Sequence, residues 1–321
     1  MSRLLALGLA LALSAAGVHA AAPQVKSQSP GYYRLMLGDF EITALNDGTV
    51  ALPVDKLLTG AKPGQVARAL QQAYLGSPLE TSVNGYLINT GAKLVLIDTG
   101  AAGLFGPTLG RLLGNLKAAG YSPEQVDEVY LTHLHGDHVG GLLADGKAAF
   151  PNAVVRVDQH EADYWLSQQQ MDKAPEAAKG GFKGAMLSVK PYQDAGRFKP
   201  FDSGSGSDKA GVELATGIRA VPAYGHTPGH TVYLVESKGQ KFAAWGDLMH
   251  VAAVQFPDPS VTISFDSDSK LALPQRQKAF ADAAKNGFYV GSAHLSFPGI
   301  GRLRADGKGY IWIPANYASK P

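Results

Sequence analysis

The spacing of hydrophobic and polar positions changes several times along this chain, and each change marks an element. In "YYRLMLGDFEITALNDGTVAL" short alternating runs read as strands, with turns at Gly38-Asp39 and Asn46-Asp47-Gly48. "SVNGYLINTGAKLVLIDTG" predicts a hairpin closing on an apolar strand from Lys93 to Ile97. After Pro107, Leu109, Leu112, Leu113 and Leu116 recur at helical spacing, and Gly120 ends that helix. "VDEVYLTH" predicts a short strand, "AVVRVD" another, and Gln159 to Gln170 a helix. "GIRAVPAYGHTPGHTVYLVES" and "KFAAWGD" read as strands around a histidine loop, Pro274 to Asn286 as a helix, and "GFYVGSAH" as the final strand. "DSGSGSD", Asp202 to Asp208, reads as a surface loop. No internal repeat and no second domain emerges. Strands interleaved with helices imply a layered α/β fold. Polar clusters fall where strands end, which is where catalytic loops leave such scaffolds.

Composition narrows the chemistry. The 321 residues are 45% apolar and 17% charged, enough for a large core. A formal net charge of +2 offers no basic surface for nucleic acid. With no cysteine, disulfides and thiolate ligands are excluded, so any metal is held by His, Asp or Glu. "MSRLLALGLALALSAAGVHAAAPQ" has a positive start at Arg3, a short apolar run and small residues before Ala21. That pattern predicts a secretory signal over residues 1–20, and hence an exported, periplasmic or secreted protein with no membrane span after cleavage. Residues 21–321 then form one domain.

The stretch "LTHLHGDHVGG" (Leu131 to Gly141) places His133, His135, Asp137 and His138 within six positions, directly after an apolar strand. A structural knot, a structural metal site and a catalytic centre all fit this stretch alone. Imidazole with carboxylate suits zinc and similar divalent ions, whereas calcium and magnesium prefer oxygen alone. His133 and His135 point to one side of an extended segment. Further candidates follow at other strand ends: His226 and His230 in "YGHTPGHT", Asp247 in "AAWGDLMH" and His294 in "GSAHLSFPG".

Taken with "LIDTG" at Leu96 to Gly100, this series resembles the metallo-β-lactamase superfamily, with the motifs in that family's order. The resemblance implies an αββα sandwich and two divalent metal ions, zinc by default. It assigns His133, His135 and His230 to one ion and Asp137, His138 and His294 to the other, with Asp247 bridging. Asp137 and Asp247 are the expected catalytic carboxylates, the ions lowering the pKa of a shared water to give hydroxide. Asp98 is expected to orient a ligand and His226 to be a supporting loop residue.

"PGYYRLMLGDFEITALNDGTVALPVDK", "DTGAAGLFGPTLGRLLGNLKAAGY", "FPNAVVRVDQHEADYWLSQ" and "AHLSFPGIG" narrow the resemblance to the methyl parathion hydrolase branch, with its lactonase and arylesterase relatives. By that similarity Phe105, Trp165 and Phe182 form an aromatic wall, and a homodimer is expected. The chain departs from the parathion-hydrolysing pattern at Leu57, His250, Ile263 and Phe265; of these pocket positions Ile263 and Phe265 narrow the expected substrate pocket and His250 intrudes on it. These departures favour a small-molecule aryl lactone or aryl ester over a three-armed phosphotriester. A methyl parathion hydrolase, or a metal-binding sensor or carrier without catalysis, are the alternatives.

Overall fold

The computed structural model describes residues 22–204 and 210–318. The expected export signal and part of the Gly/Ser-rich loop lie outside these residues.

Two sheets face each other. The first runs Tyr32–Leu37, Phe40–Leu52, Leu79–Asn89, Leu94–Ile97, Glu128–Tyr130 and Val154–Arg156 in spatial order. Its first four strands are antiparallel and its last two parallel. The second runs Val212–Ala215, Ile218–Pro222, Thr231–Ser237, Gln240–Ala244, Tyr289–Gly291, Ile300–Asp306 and Gly309–Pro314. Only the pairing of Gln240–Ala244 with Tyr289–Gly291 is parallel there.

Strand alternation sorts the side chains into layers. Tyr86, Ile88, Val95, Ile97 and Tyr130 point inward and meet Ile218, Tyr233, Val235 and Phe242 of the second sheet. Their neighbours Leu87, Leu96, Val129 and Val155 point outward, against the helices Leu112–Ala118, Gln159–Trp165 and Glu176–Asp194. On the far side, Val232, Ala243 and Val290 pack against Phe280 and Ala283 of the helix Ser269–Asn286. Each large apolar side chain so buried contributes about 1.5–3 kcal/mol. The result is the expected αββα sandwich. Among the described residues no helix is long and apolar enough to cross a membrane.

Several local expectations are corrected. Asn46-Asp47-Gly48 is no turn but a bulge inside the Phe40–Leu52 strand. The Asp47 carboxylate there accepts bonds from the backbone N–H groups of Ala101, Gly110 and Leu112 at 2.9–3.0 Å. Those bonds hold the chain before Leu112 out of the helix, so the expected helix starts at Leu112 and not after Pro107. The helix expected over Gln159 to Gln170 ends at Trp165, and Ser167 caps a separate helix, Gln168–Lys173. The last helix begins at Ser269, because Asp268 caps it ahead of Pro274. "GFYVGSAH" is followed by two further strands, Ile300–Asp306 and Gly309–Pro314.

Candidate metal centre

The centre lies at the edge where strands of both sheets end. Cross-links between the sheets gather there: Thr231 N–H donates to the Thr132 carbonyl at 2.9 Å, Tyr233 Oη to the Leu131 carbonyl at 2.8 Å, and Tyr86 Oη to the Ser292 carbonyl at 2.9 Å. The short helix Gly136–Val139 rests on the backbone that follows the Leu94–Ile97 strand. Thr99 N–H donates to the His138 carbonyl and Gly141 N–H to the Gly100 carbonyl, both at 2.9 Å. The approach is closer than any side chain permits. A Cβ on Gly141 would lie 1.9 Å from the Thr99 carbonyl oxygen, and one on Gly140 2.3 Å from that of Ala101.

Two groups of ligand-type atoms converge. One comprises His133, His135, His226 and Asp247, the other Asp137, His138, Asp247 and His294, each with its atoms within 4.8 Å of one another. Asp247 belongs to both. Its Oδ1 lies 3.2 Å from His138 Nε2, and its Oδ2 lies 3.1 Å from His294 Nε2 and 3.3 Å from His226 Nε2. Asp137 Oδ2 is 3.6 Å from His138 Nε2 and 3.5 Å from His294 Nε2.

The expected roles of His226 and His230 are reversed. The His226 ring enters the first group, with Nε2 3.1 Å from His135 Nδ1. His230 enters neither group. Its Nε2 accepts the backbone N–H of Asp247 at 3.1 Å, so its lone pair is already committed to holding that loop. Sequence spacing alone does not separate two histidines four residues apart in one loop.

Supporting bonds fix the rings. His138 Nδ1–H donates to Asp98 at 2.9 Å, as expected of Asp98. Asp98 also accepts from Thr132 N–H and Oγ1, each at 2.8 Å, and Thr132 Oγ1 in turn lies 3.0 Å from His133 Nδ1. His294 Nδ1–H donates to the Ser82 carbonyl at 3.0 Å, and His226 Nδ1–H to Asp266 at 3.0 Å. Glu161, fully buried, went unnoticed in the sequence. One oxygen accepts Leu134 N–H at 2.9 Å, the other Gly229 N–H at 2.8 Å, tying together the two loops that carry histidines. Its signal was a charged residue four positions before Trp165 on the helix's buried face.

The electrostatics divide the rings. Burial lowers His133 well below its ordinary value and takes His135 to about 3, leaving neutral imidazoles suited to ligation. At His226 burial acts the same way, but Asp247 and Asp266 outweigh it and raise the value to about 9. Asp247 is held well below the carboxylate range: burial opposes this, and the surrounding His138, His294, His250 and His133 prevail. A bound cation would take over that balancing role. The residues fit one: the donors are imidazole and carboxylate, and buried His133 Nε2, His138 Nε2 and Asp247 Oδ1 have no hydrogen-bond partner among the described residues.

A cavity of about 250 Å³ opens on this cluster, lined by Val50, Leu52, Phe105, Leu109, Gly136, Gly181 and Phe265, with Asp137, Asp247, His250 and His294 at its floor. Of the expected pocket residues, Phe105, His250 and Phe265 are therefore present. Trp165 and Phe182 are not. They pack on each other with tilted rings, 4.6 Å between centroids, in the core, where Trp165 meets the His135 ring edge-on at 5.2 Å. Leu57 and Ile263 also lie outside the cavity lining. Ile263 is fully buried and pairs with Leu58 in a small ladder, and Leu57 packs on the same cluster. Val50, Leu52 and Leu109 were missed, because nothing distinguishes such residues from core in a sequence.

The sequence profile of the metallo-beta-lactamase superfamily matches residues 79–288. Among solved structures, a hydrolase of the beta-lactamase superfamily, AbOPH, is 42% identical with a TM-score of 0.84, over 91% of this chain and 100% of that one. AidC, a dizinc quorum-quenching lactonase solved with a product, N-hexanoyl-L-homoserine, is 26% identical with a TM-score of 0.80, over 90% and 99%. An N-acyl homoserine lactonase of Bacillus sp. is 25% identical over 182 residues, which is 51% of this chain and 62% of that protein. The chain spans less than two thirds of the length of this and the other first-matched curated relatives. The match spans the segments that carry every member of the two groups except His294, and it is the ground for one conclusion: the chain belongs to the metallo-beta-lactamase superfamily.

Proposed function

We propose that the protein is a binuclear metal-dependent hydrolase that opens aryl lactones and cleaves aryl esters. The observation that carries this reading is the cavity. Its wall of Val50, Leu52, Phe105, Leu109 and Phe265 is apolar, while its floor is the carboxylate and imidazole cluster. A volume below the roughly 300 Å³ at which drug-sized sites begin suits a small, flat substrate. Aromatic walls complement an aryl face, and the carbonyl is left to meet the polar floor.

His133, His135 and His226 would hold one cation, Asp137, His138 and His294 the other, and Asp247 would span the two. Bound divalent cations supply Lewis acidity and make water nucleophilic at neutral pH. The chain's own part is positional. Asp247 turns Oδ1 to His138 of one group and sets Oδ2 between His294 of that group and His226 of the other. Asp137, the most exposed carboxylate of the cluster at 19%, lines the cavity, where it would hold the attacking water by a hydrogen bond. Asp98, Asp266 and the Ser82 carbonyl engage Nδ1–H of their histidines, so that Nε2 is the nitrogen that would give up its proton to a cation.

Two further readings share this machinery. Similarity to two N-acyl homoserine lactonases supports an aliphatic lactone as substrate, and the methyl parathion hydrolase resemblance supports a phosphotriester. The test is one substrate panel on protein of measured zinc content: dihydrocoumarin, phenyl acetate, N-hexanoyl homoserine lactone and methyl parathion. The aryl lactone and ester are expected to give the highest kcat/KM. Dominant turnover of methyl parathion or of the homoserine lactone would replace the proposal with the corresponding reading. Retained metal with no turnover of any substrate would favour a carrier.

A further inference from the structure

Arg276 and Asp266 stand behind the cluster, and both side chains are fully withdrawn from solvent, with 1% and 0% exposure. Asp266 Oδ1 accepts Nδ1–H of His226 at 3.0 Å. Arg276 Nη2 lies 3.6 Å from Asp266 Oδ2. The same guanidinium donates through Nε to the Leu248 carbonyl at 2.5 Å and through Nη1 to the Val261 carbonyl at 2.7 Å. Leu248 directly follows Asp247. One buried cation thus hydrogen-bonds the loop that carries the shared carboxylate and stands as a charge partner, beyond hydrogen-bond distance, to the carboxylate that orients His226. Asp266 is also the neighbour of Phe265 in the cavity wall. Its loop is sewn to the histidine loop by Ser267 N–H to the His226 carbonyl at 2.9 Å and Asp268 N–H to the Gly225 carbonyl at 2.8 Å.

We propose that Asp266, held by Arg276, is a positioning residue for the metal centre: it fixes the His226 ring with Nε2 toward the site and ties that ligand to the substrate wall. A buried arginine is costly unless its donors are used, and here they converge on two segments of one site and a carbonyl beside them. The arrangement is the carboxylate–histidine pairing that raises ligand basicity and sets ring orientation. This inference rests on the metal-centre reading above, with His226 as ligand, and is independent of which substrate is turned over.

The test uses the full-length protein with Asp266→Asn and Asp266→Ala. Cobalt affinity is measured by chelator competition, alongside the visible absorption of the cobalt-loaded protein. Asp266→Asn keeps an acceptor for Nδ1–H and is expected to lose about tenfold in affinity for one of two ions, whereas Asp266→Ala loses about a hundredfold. The absorption bands of that one ion shift in the alanine variant and return toward wild type in the asparagine variant. A role in folding alone does not move a ligand-field band in a variant that still melts cooperatively. Wild-type affinity and an unchanged spectrum in Asp266→Ala would overturn the proposal, as would failure of the wild type to retain any ion. Should Asp266→Ala not fold, Asp266→Asn decides: wild-type affinity with unshifted bands overturns the proposal, and a tenfold loss with a small shift supports it. Wild-type metal binding without lactone or ester turnover overturns the substrate reading and leaves this one standing.

Discussion

On the metal-centre side of the site stand His138, His226 and His294, each with its far ring nitrogen tied to a fixed acceptor: Asp98, Asp266 and the Ser82 carbonyl. On the other stand Phe105 and Phe265, on loops, 51% and 38% exposed. The first side is held by directional bonds in a buried setting, where a shift of an ångström leaves a polar group unpaired. The second is held by non-directional contacts that tolerate repacking. The contrast teaches how the site divides its work. Chemistry sits on the rigid side, and substrate choice on the side free to change.

The sharpest attack on the rigid side is Asp247→Ala, which removes the only carboxylate common to both groups. It is expected to lower kcat/KM roughly a thousandfold, about 4 kcal/mol of transition-state stabilisation. Elemental analysis after dialysis should show metal lost with it, and unchanged metal content would break the two-group description.

A finer cut compares neighbours in one loop. His226→Ala should release one of the two ions. His230→Ala should keep both but cost about 1–3 kcal/mol of stability, because Asp247 N–H loses its acceptor. Metal content and thermal melting of the two variants check this, and the opposite pattern would return the ligand role to His230.

Glu161 tests the tie between the loops. Burial raises its carboxyl from 4.5 to about 7, against the opposing bonds from Leu134 and Gly229. A folded-state value above the unfolded one means that its contribution to stability is complete below about pH 4.5. The contribution is lost as pH rises through about 7, a fall on the order of 3 kcal/mol. Denaturant melts of metal-free protein across that window should show the fall, and Glu161→Gln should flatten it.

The smallest effect belongs to the apolar side. Phe105→Ala should raise KM for an aryl ester about fivefold, near 1 kcal/mol of lost apolar contact, with kcat little changed. A drop in kcat instead would place Phe105 on the chemical side of the comparison.

How much was legible follows the same divide. The sandwich could be read because strand alternation and the order of strand-end motifs are local patterns, and all six candidate ligands other than the His226/His230 pair, His133, His135, Asp137, His138, Asp247 and His294, lie inside such motifs. The exchange between those two histidines was not readable, because it turns on which imidazole a backbone N–H of a distant loop occupies. Asp47 looked like a turn residue until its three acceptor bonds across the chain were seen. The helix Glu176–Asp194 was invisible because Gly180, Gly181, Gly184 and Pro191 suppress its helical signature, although tertiary packing of Phe182, Ala185, Val189 and Tyr192 sustains it. Trp165 and Phe182 were expected in the wall by resemblance, and Leu57 and Ile263 in the pocket as departures from the family pattern, yet such side chains serve a core equally well.

The seam between Gly140-Gly141 and Thr99-Gly100-Ala101 has a consequence for descent and for design. Because a side chain in place of either glycine would drive its Cβ into the facing carbonyls, the histidine motif and the "DTG" motif form a lock and its keeper, separated by some forty residues of chain but by no space. Neither can be inherited, swapped or grafted onto another scaffold without the other. A transplant that carries only the histidines would deliver the ligands to a seat that does not exist.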